Sequence, residues 1–137
     1  MQDSKTNRAR IDIYNTIYDI DLVVANRYTS IEELKKDYIY PDGVELEDFP
    51  DYTATTTTVR NRHTGRYCVL VRYHRDPKDK SLDKHLDLIN TAAHEAYHVM
   101  LDIFEACSIK VTYEEQENPA YFIGWATTCI LKTWLNK

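Results

Sequence analysis

The residues of this chain best suited to chemistry are His94-Glu95-Ala96-Tyr97-His98. Two side chains four positions apart on a helix lie on one face, a turn above one another. Here that places two imidazoles where both can reach one metal ion. Glu95 is rotated about a third of a turn away, beside such an ion. Two neutral nitrogen donors with an adjacent carboxylate form the arrangement that zinc-assisted hydrolysis uses, two ligands and a general base. Small residues surround the motif, Ala92, Ala93 and Ala96, as a helix needs if a metal and a substrate are to approach it. The helix itself reads as buried, where unpaired imidazoles would be costly.

A catalytic zinc site takes a third protein ligand and leaves one position open. A third histidine further along the same helix would need Gly and His where Leu101 and Phe104 stand. Asp102 lies one turn beyond His98, but His94, His98 and Asp102 on a straight helix span roughly 12 Å at 1.5 Å per residue. Asp102 therefore reads better as a carboxylate orienting an imidazole from behind. The remaining candidates are Glu114, Glu115 and Glu117. Glu117 follows His98 by 19 residues, room for a helix end, a connection and an antiparallel second helix. It is the preferred ligand, with Glu114 second; either would also suit a helix N-terminus, where the macrodipole favours a carboxylate. His74 and Tyr121 are candidate stabilisers of a developing charge, and His63 and His85 read as surface residues.

The elements that must position these groups can be read along the chain. Residues 1 to about 9 are polar and expected to fray. Ile11 to Ala25 is rich in strand formers, with alternation from Tyr18 to Val24 that predicts a half-buried strand. Ser30 and Glu33 have capping-box spacing and open a helix to about Tyr38. Pro41-Asp42-Gly43 signals a turn, and the acidic stretch to Asp51 reads as a solvated loop. Thr53–Val59 and Arg66–His74 form a predicted hairpin around Asn61–Gly65, with Gly65 able to adopt positive φ. The second strand is apolar on both faces and reads as central or covered. Ser81 is the expected N-cap of a helix running to about Cys107, apolar on nearly every side of its second half. A short β-like segment is expected at Ile109–Tyr113, then a last helix from about Pro119 to Leu135 with Phe122, Ile123, Ala126, Ile130, Leu131 and Trp134 on its apolar face.

The totals narrow the class. At 137 residues, with 43% hydrophobic and 28% charged residues, the chain is expected to form a single domain with a real core. A net charge of −5 argues against nucleic-acid binding through a basic surface. Three widely spaced cysteines, Cys68, Cys107 and Cys129, give neither a disulfide framework nor a thiolate metal site, and suit a reducing cytoplasm. No leader and no membrane span is read from the sequence.

His-Glu-Ala-Tyr-His followed by Glu117-Asn-Pro-Ala-Tyr-Phe-Ile-Gly-Trp-Ala resembles the gluzincin pattern, and more specifically small zincin-like proteins encoded by bacteriophages and prophages. The layout of strand, short helix and hairpin is similar over roughly residues 11 to 135. The resemblance implies an α+β, minimal zincin-like domain: a small antiparallel or mixed sheet with its hairpin packed on a central helix bearing the motif, and a C-terminal helix. It also implies a phage origin, a bacterial host's cytoplasm as location, and a phage or host protein as partner. The expected function is a zinc metallopeptidase acting on an extended peptide or protein segment, Zn²⁺ held by His94, His98 and Glu117, and Glu95 as general base. The strand Arg66–His74 would offer an edge or wall beside the metal, where a peptide could add as another strand; which strand is the true edge is not readable from the sequence. The alternative is a non-catalytic, zinc-stabilised interaction or virion protein of the same shape, and a weaker one is a small-molecule amidase.

Overall fold

The computed structural model describes residues 8–76 and 83–137. Five strands and three helices follow in the order β1 (Ile11–Tyr14), β2 (Asp21–Ala25), α1 (Ile31–Lys35), β3 (Tyr38–Ile39), β4 (Ala54–Asn61), β5 (Tyr67–Tyr73), α2 (Lys84–Ala106) and α3 (Glu117–Trp134). The chain is therefore mixed α+β. The strands form one mixed sheet in the order β1-β2-β5-β4-β3, in which only β2 and β5 run parallel.

Strand alternation divides the sheet between two apolar clusters. Leu22, Val24, Val69 and Val71 pack with α2 and α3, while Val23, Ala25, Cys68, Leu70 and Val59 pack with Leu34, Tyr38 and Leu46. β2 and β5 are thus buried on both faces, as the two-sided apolar pattern of β5 predicts. The expected half-buried strand from Tyr18 to Val24 is corrected in two ways. Its first half is a turn, in which Thr16 Oγ1 accepts from the Tyr18 N–H at 3.1 Å and donates to the Ile20 carbonyl at 2.7 Å. Asp19 there adopts φ 61°, which an Asp tolerates and a strand cannot contain. Its second half is buried on both faces, because each face meets one of the two apolar clusters.

The capping box at Ser30 and Glu33 is present, and Gly65 closes the hairpin at φ 74°. α1 stops at Lys35 rather than Tyr38. The Arg62 N–H donates to the Asp37 carbonyl at 2.7 Å, and Tyr38 joins β4 as strand β3 with its ring buried. Tertiary pairing overrides helix propensity there. The acidic stretch after Gly43 is more than a solvated loop. Leu46 is buried, Glu45 pairs with Arg62, and Asp48 accepts from the buried Arg72 guanidinium at 2.7 Å. A buried cation has to be paired, which pins the loop. Ile109–Tyr113 forms no strand; Ser108 turns the chain at φ 58° and residues 110–113 are exposed.

Ser81 lies outside the described residues, as do residues 1–7 of the expected frayed start. The cap of α2 is Asp83, whose carboxylate accepts from the Leu86 N–H at 2.9 Å. α2 is one-sided rather than apolar all round: Ala92, Ala96, Val99, Met100, Ile103 and Phe104 are buried, whereas Leu86, Ile89 and Tyr97 stand about half exposed. α3 begins two residues before Pro119, and its predicted apolar face meets the α2 cluster as expected. Among the described residues no helix is long and apolar enough to cross a membrane.

A polar clamp closes the fold. Thr133, fully buried near the end of α3, donates to Asp12 Oδ2 at 2.6 Å, and the Tyr14 hydroxyl lies 2.8 Å from its Oγ1. Trp134 Nε1 donates to the Ala25 carbonyl at 3.2 Å. Thr133→Val keeps the shape and removes the hydroxyl, leaving Asp12 and Tyr14 short of a partner. It should lower the unfolding free energy by about 1–3 kcal/mol. Urea denaturation with an unchanged slope would record this, and an unchanged midpoint would show that the clamp contributes nothing.

Candidate metal centre on the second helix

The i, i+4 spacing on α2 brings His94 and His98 together as intended. Their Nε2 atoms are 3.3 Å apart, with ring centroids at 4.9 Å and planes inclined by 69°. Two nitrogens each about 2.05 Å from a tetrahedral zinc would stand about 3.3 Å apart. The same separation is within hydrogen-bond reach, so the two rings can share a proton, and it also matches the spacing of two nitrogens on one divalent ion. Both rings are on the solvent side of α2, with the His94 side chain 66% exposed, so the expectation of histidines inside a buried helix is corrected. The face that carries His94 and His98 is open because the helix buries its other side. Ala92 and Ala96, read above as making room for a ligand, face the core and let α2 lie close to the sheet; of the three alanines only Ala93 is on the open side.

Glu95 occupies the boundary between these faces and is only 5% exposed. Its Oε1 accepts from Thr56 Oγ1 at 2.8 Å, and its Oε2 lies 3.9 Å from His94 Nε2. One carboxylate oxygen is thus anchored to the sheet and the other faces the histidine pair. Thr56 provides this anchor because alternate residues of β4, Ala54, Thr56 and Thr58, face α2, while Val59 faces the opposite cluster. Sequence reasoning missed Thr56. The Thr55–Thr58 run advertises hydroxyls, but their parity is set by register against β5, where Thr56 pairs with Val71.

The other candidates are dispersed. Among the described residues no group of three His, Cys, Asp or Glu side chains converges as a metal site. Glu117 is the first residue of α3 and is exposed, as are Glu114 and Glu115. Asp102 is partly buried one turn past His98 and makes no hydrogen bond to it; burial raises its carboxyl pKa, and the neighbouring His98 opposes that rise. Tyr121 is 76% exposed, and its hydroxyl makes no hydrogen bond among the described residues. No family model, curated protein or solved structure matches the chain.

His74 is engaged elsewhere. Its Nε2 is 2.8 Å from Thr55 Oγ1, on the face of β4 opposite Thr56, and its ring meets Phe49 edge-on. Burial, and then the Arg72 guanidinium, lower its pKa to about 4 from an ordinary 6.5. The folded protein therefore keeps this imidazole neutral where the unfolded chain protonates it. Between those values the unfolded state binds more protons, so stability is complete above pH 6.5 and falls as pH drops toward about 4. His74→Gln should flatten the pH dependence of the unfolding free energy over that window. A slope unchanged by the substitution would show that His74 titrates freely in the fold.

Proposed function

We propose that the chain is a zinc-dependent hydrolase of zincin-like type, a metallopeptidase acting on an extended peptide segment. The observation that carries this reading is the paired Nε2 atoms of His94 and His98 with a sheet-anchored carboxylate oxygen beside them. His94 and His98 would hold the ion, with Glu117 as the proposed third ligand and Glu114 behind it. The Glu117 carboxylate makes no hydrogen bond or ion pair among the described residues, so it is not committed elsewhere. Bound zinc supplies Lewis acidity, polarising a carbonyl and acidifying a water molecule.

Glu95 does the proton work. Thr56 fixes Oε1, so only Oε2 is available toward the histidines. That oxygen accepts a proton from the attacking water and returns it to the departing amine. Holding the carboxylate in one rotamer keeps it in range without an ordering cost in each turnover.

β5 (Tyr67–Tyr73), which falls within the strand expected at Arg66–His74, lies inside the sheet between β2 and β4 and has no edge to offer. β3 pairs only with Arg60 and Asn61 of β4, so residues 54–59 have a strand neighbour on one side alone. That segment carries Thr56 and is where an extended peptide would add as a further strand.

Metal analysis of the purified protein should give about one zinc per chain, lost in His94→Ala. Glu117→Ala should weaken zinc binding by roughly 10-fold or more. Glu95→Gln should retain zinc and lose about 10²–10⁴-fold in peptide hydrolysis. A native protein that takes up no zinc overturns the proposal. Zinc that survives Glu95→Gln in a protein whose parent cleaves no peptide would assign the site to a zinc-stabilised interaction protein.

A further inference from the structure

Beneath the C-terminal half of α2, where β2 and β5 begin and β4 ends, lies an open cleft of about 630 Å³. Its volume falls in the range of ligand-binding sites. Ile20, Val69, Tyr67 and Ala106 supply much of its wall, with Thr58 on the β4 side. Thr58 follows the Glu95 anchor Thr56 by two residues on the same strand face, and Asp102 follows His98 by one helical turn. The cleft therefore begins where the metal-binding turn ends, and it runs away from it along β4.

Three charges line this cleft, and two of them cancel. The Arg66 guanidinium is held by Asp19 at 2.7 Å, with Asp21 at 3.9 Å. Asp102 has no such hydrogen-bonded counterpart: its partly buried carboxylate accepts no hydrogen bond and forms no ion pair among the described residues, and His98, one turn back, acts on it only through space. Carboxylates removed from water are normally paired. The end of α2 adds to the same negative potential. Its last turn carries no basic residue, so nothing there offsets the helix dipole beside Ala106. The walls are apolar, and the potential at Asp102 is negative. That combination suits a group with an aliphatic stem and a cationic head.

We propose that this cleft receives the side chain of a lysine or arginine, so that the hydrolase selects peptides with a basic residue next to the bond it cleaves. The selection rests on the peptidase reading above; the cationic preference of the cleft does not. The stem lies along Val69 and Ile20, and the head pairs with Asp102. A peptide lying along β4 brings such a residue to Thr58 while its backbone passes Glu95.

The test uses zinc-loaded Glu95→Gln protein and matched hexapeptides with arginine, norleucine or glutamate at one central position, titrated by calorimetry. The arginine peptide should bind about tenfold tighter than the norleucine one, and the glutamate peptide weakest. Adding Asp102→Asn should bring arginine and norleucine within about twofold, with no loss in melting temperature, since the Asp102 side chain makes no hydrogen bond or ion pair among the described residues. Equal binding of arginine and norleucine, or a preference that survives Asp102→Asn, overturns the inference. Butylguanidine titrated into the parent protein without added metal separates the two readings. Binding that depends on Asp102 in a chain that neither holds zinc nor cleaves peptides supports the cationic cleft and removes the peptidase. Peptide cleavage indifferent to basic residues does the reverse.

Discussion

The close seating of α2 on the sheet is the constraint on which the candidate site depends. Ala92 and Ala96 are fully buried and present no side chain larger than a methyl group, so the helix axis can approach Leu22, Val24, Val69 and Val71. A larger residue at either position would push the helix outward and lengthen the Thr56–Glu95 contact. The same approach takes Glu95 out of water. A desolvated carboxylate is tolerable only with a donor in place, and the Thr56 hydroxyl at 2.8 Å provides it. Packing and polarity are therefore solved together. The helix is close enough to bury the carboxylate, and the strand it meets carries a donor at the matching level.

The sheet can serve in this way because its middle is covered on both sides. With α2 and α3 on one face and α1, Tyr38 and Leu46 on the other, β2 and β5 are rigid supports. β4 is the transition between this interior and the exposed rim. It shares a full ladder with β5 and only two residues with β3. One strand thus contributes an anchor to the buried side and an unpaired backbone to the open side, within a few residues of the histidine pair.

The sequence made a good part of this legible, for identifiable reasons. The capping box at Ser30, the hairpin around Gly65, the two-sided apolar pattern of β5 and the helical register of His94 and His98 are local or periodic features, and each is present. What escaped was set by distant partners. Thr56 matters through its register against β5, and Asp83 caps α2 where Ser81 was the expected cap. His74 turned to Thr55 because strand parity puts it across the sheet from α2. The exposure of the two imidazoles depends on which side of α2 meets the sheet, and apolar residues on both sides concealed that. Tyr18–Val24 alternates like a strand, yet Thr16 and Asp19 bend its first half into a turn. The free edge stayed unassigned because strand order in a sheet is not written in either strand.

The clamp between β1 and α3 carries a consequence for the order of events in folding. Asp12 and Thr133 are 121 positions apart, and Trp134 reaches back 109 positions to Ala25. Contacts that span so much chain close late, after local helices and the hairpin have formed, because the entropy of joining distant segments is met only once a scaffold exists. The first strand, although made first, therefore waits for one of the last helical turns before it is fixed. On a ribosome the β4–β5 hairpin and α2 can assemble while β1 is still held only by β2. The sheet edge beyond β2 stays loosely guarded until α3 has emerged.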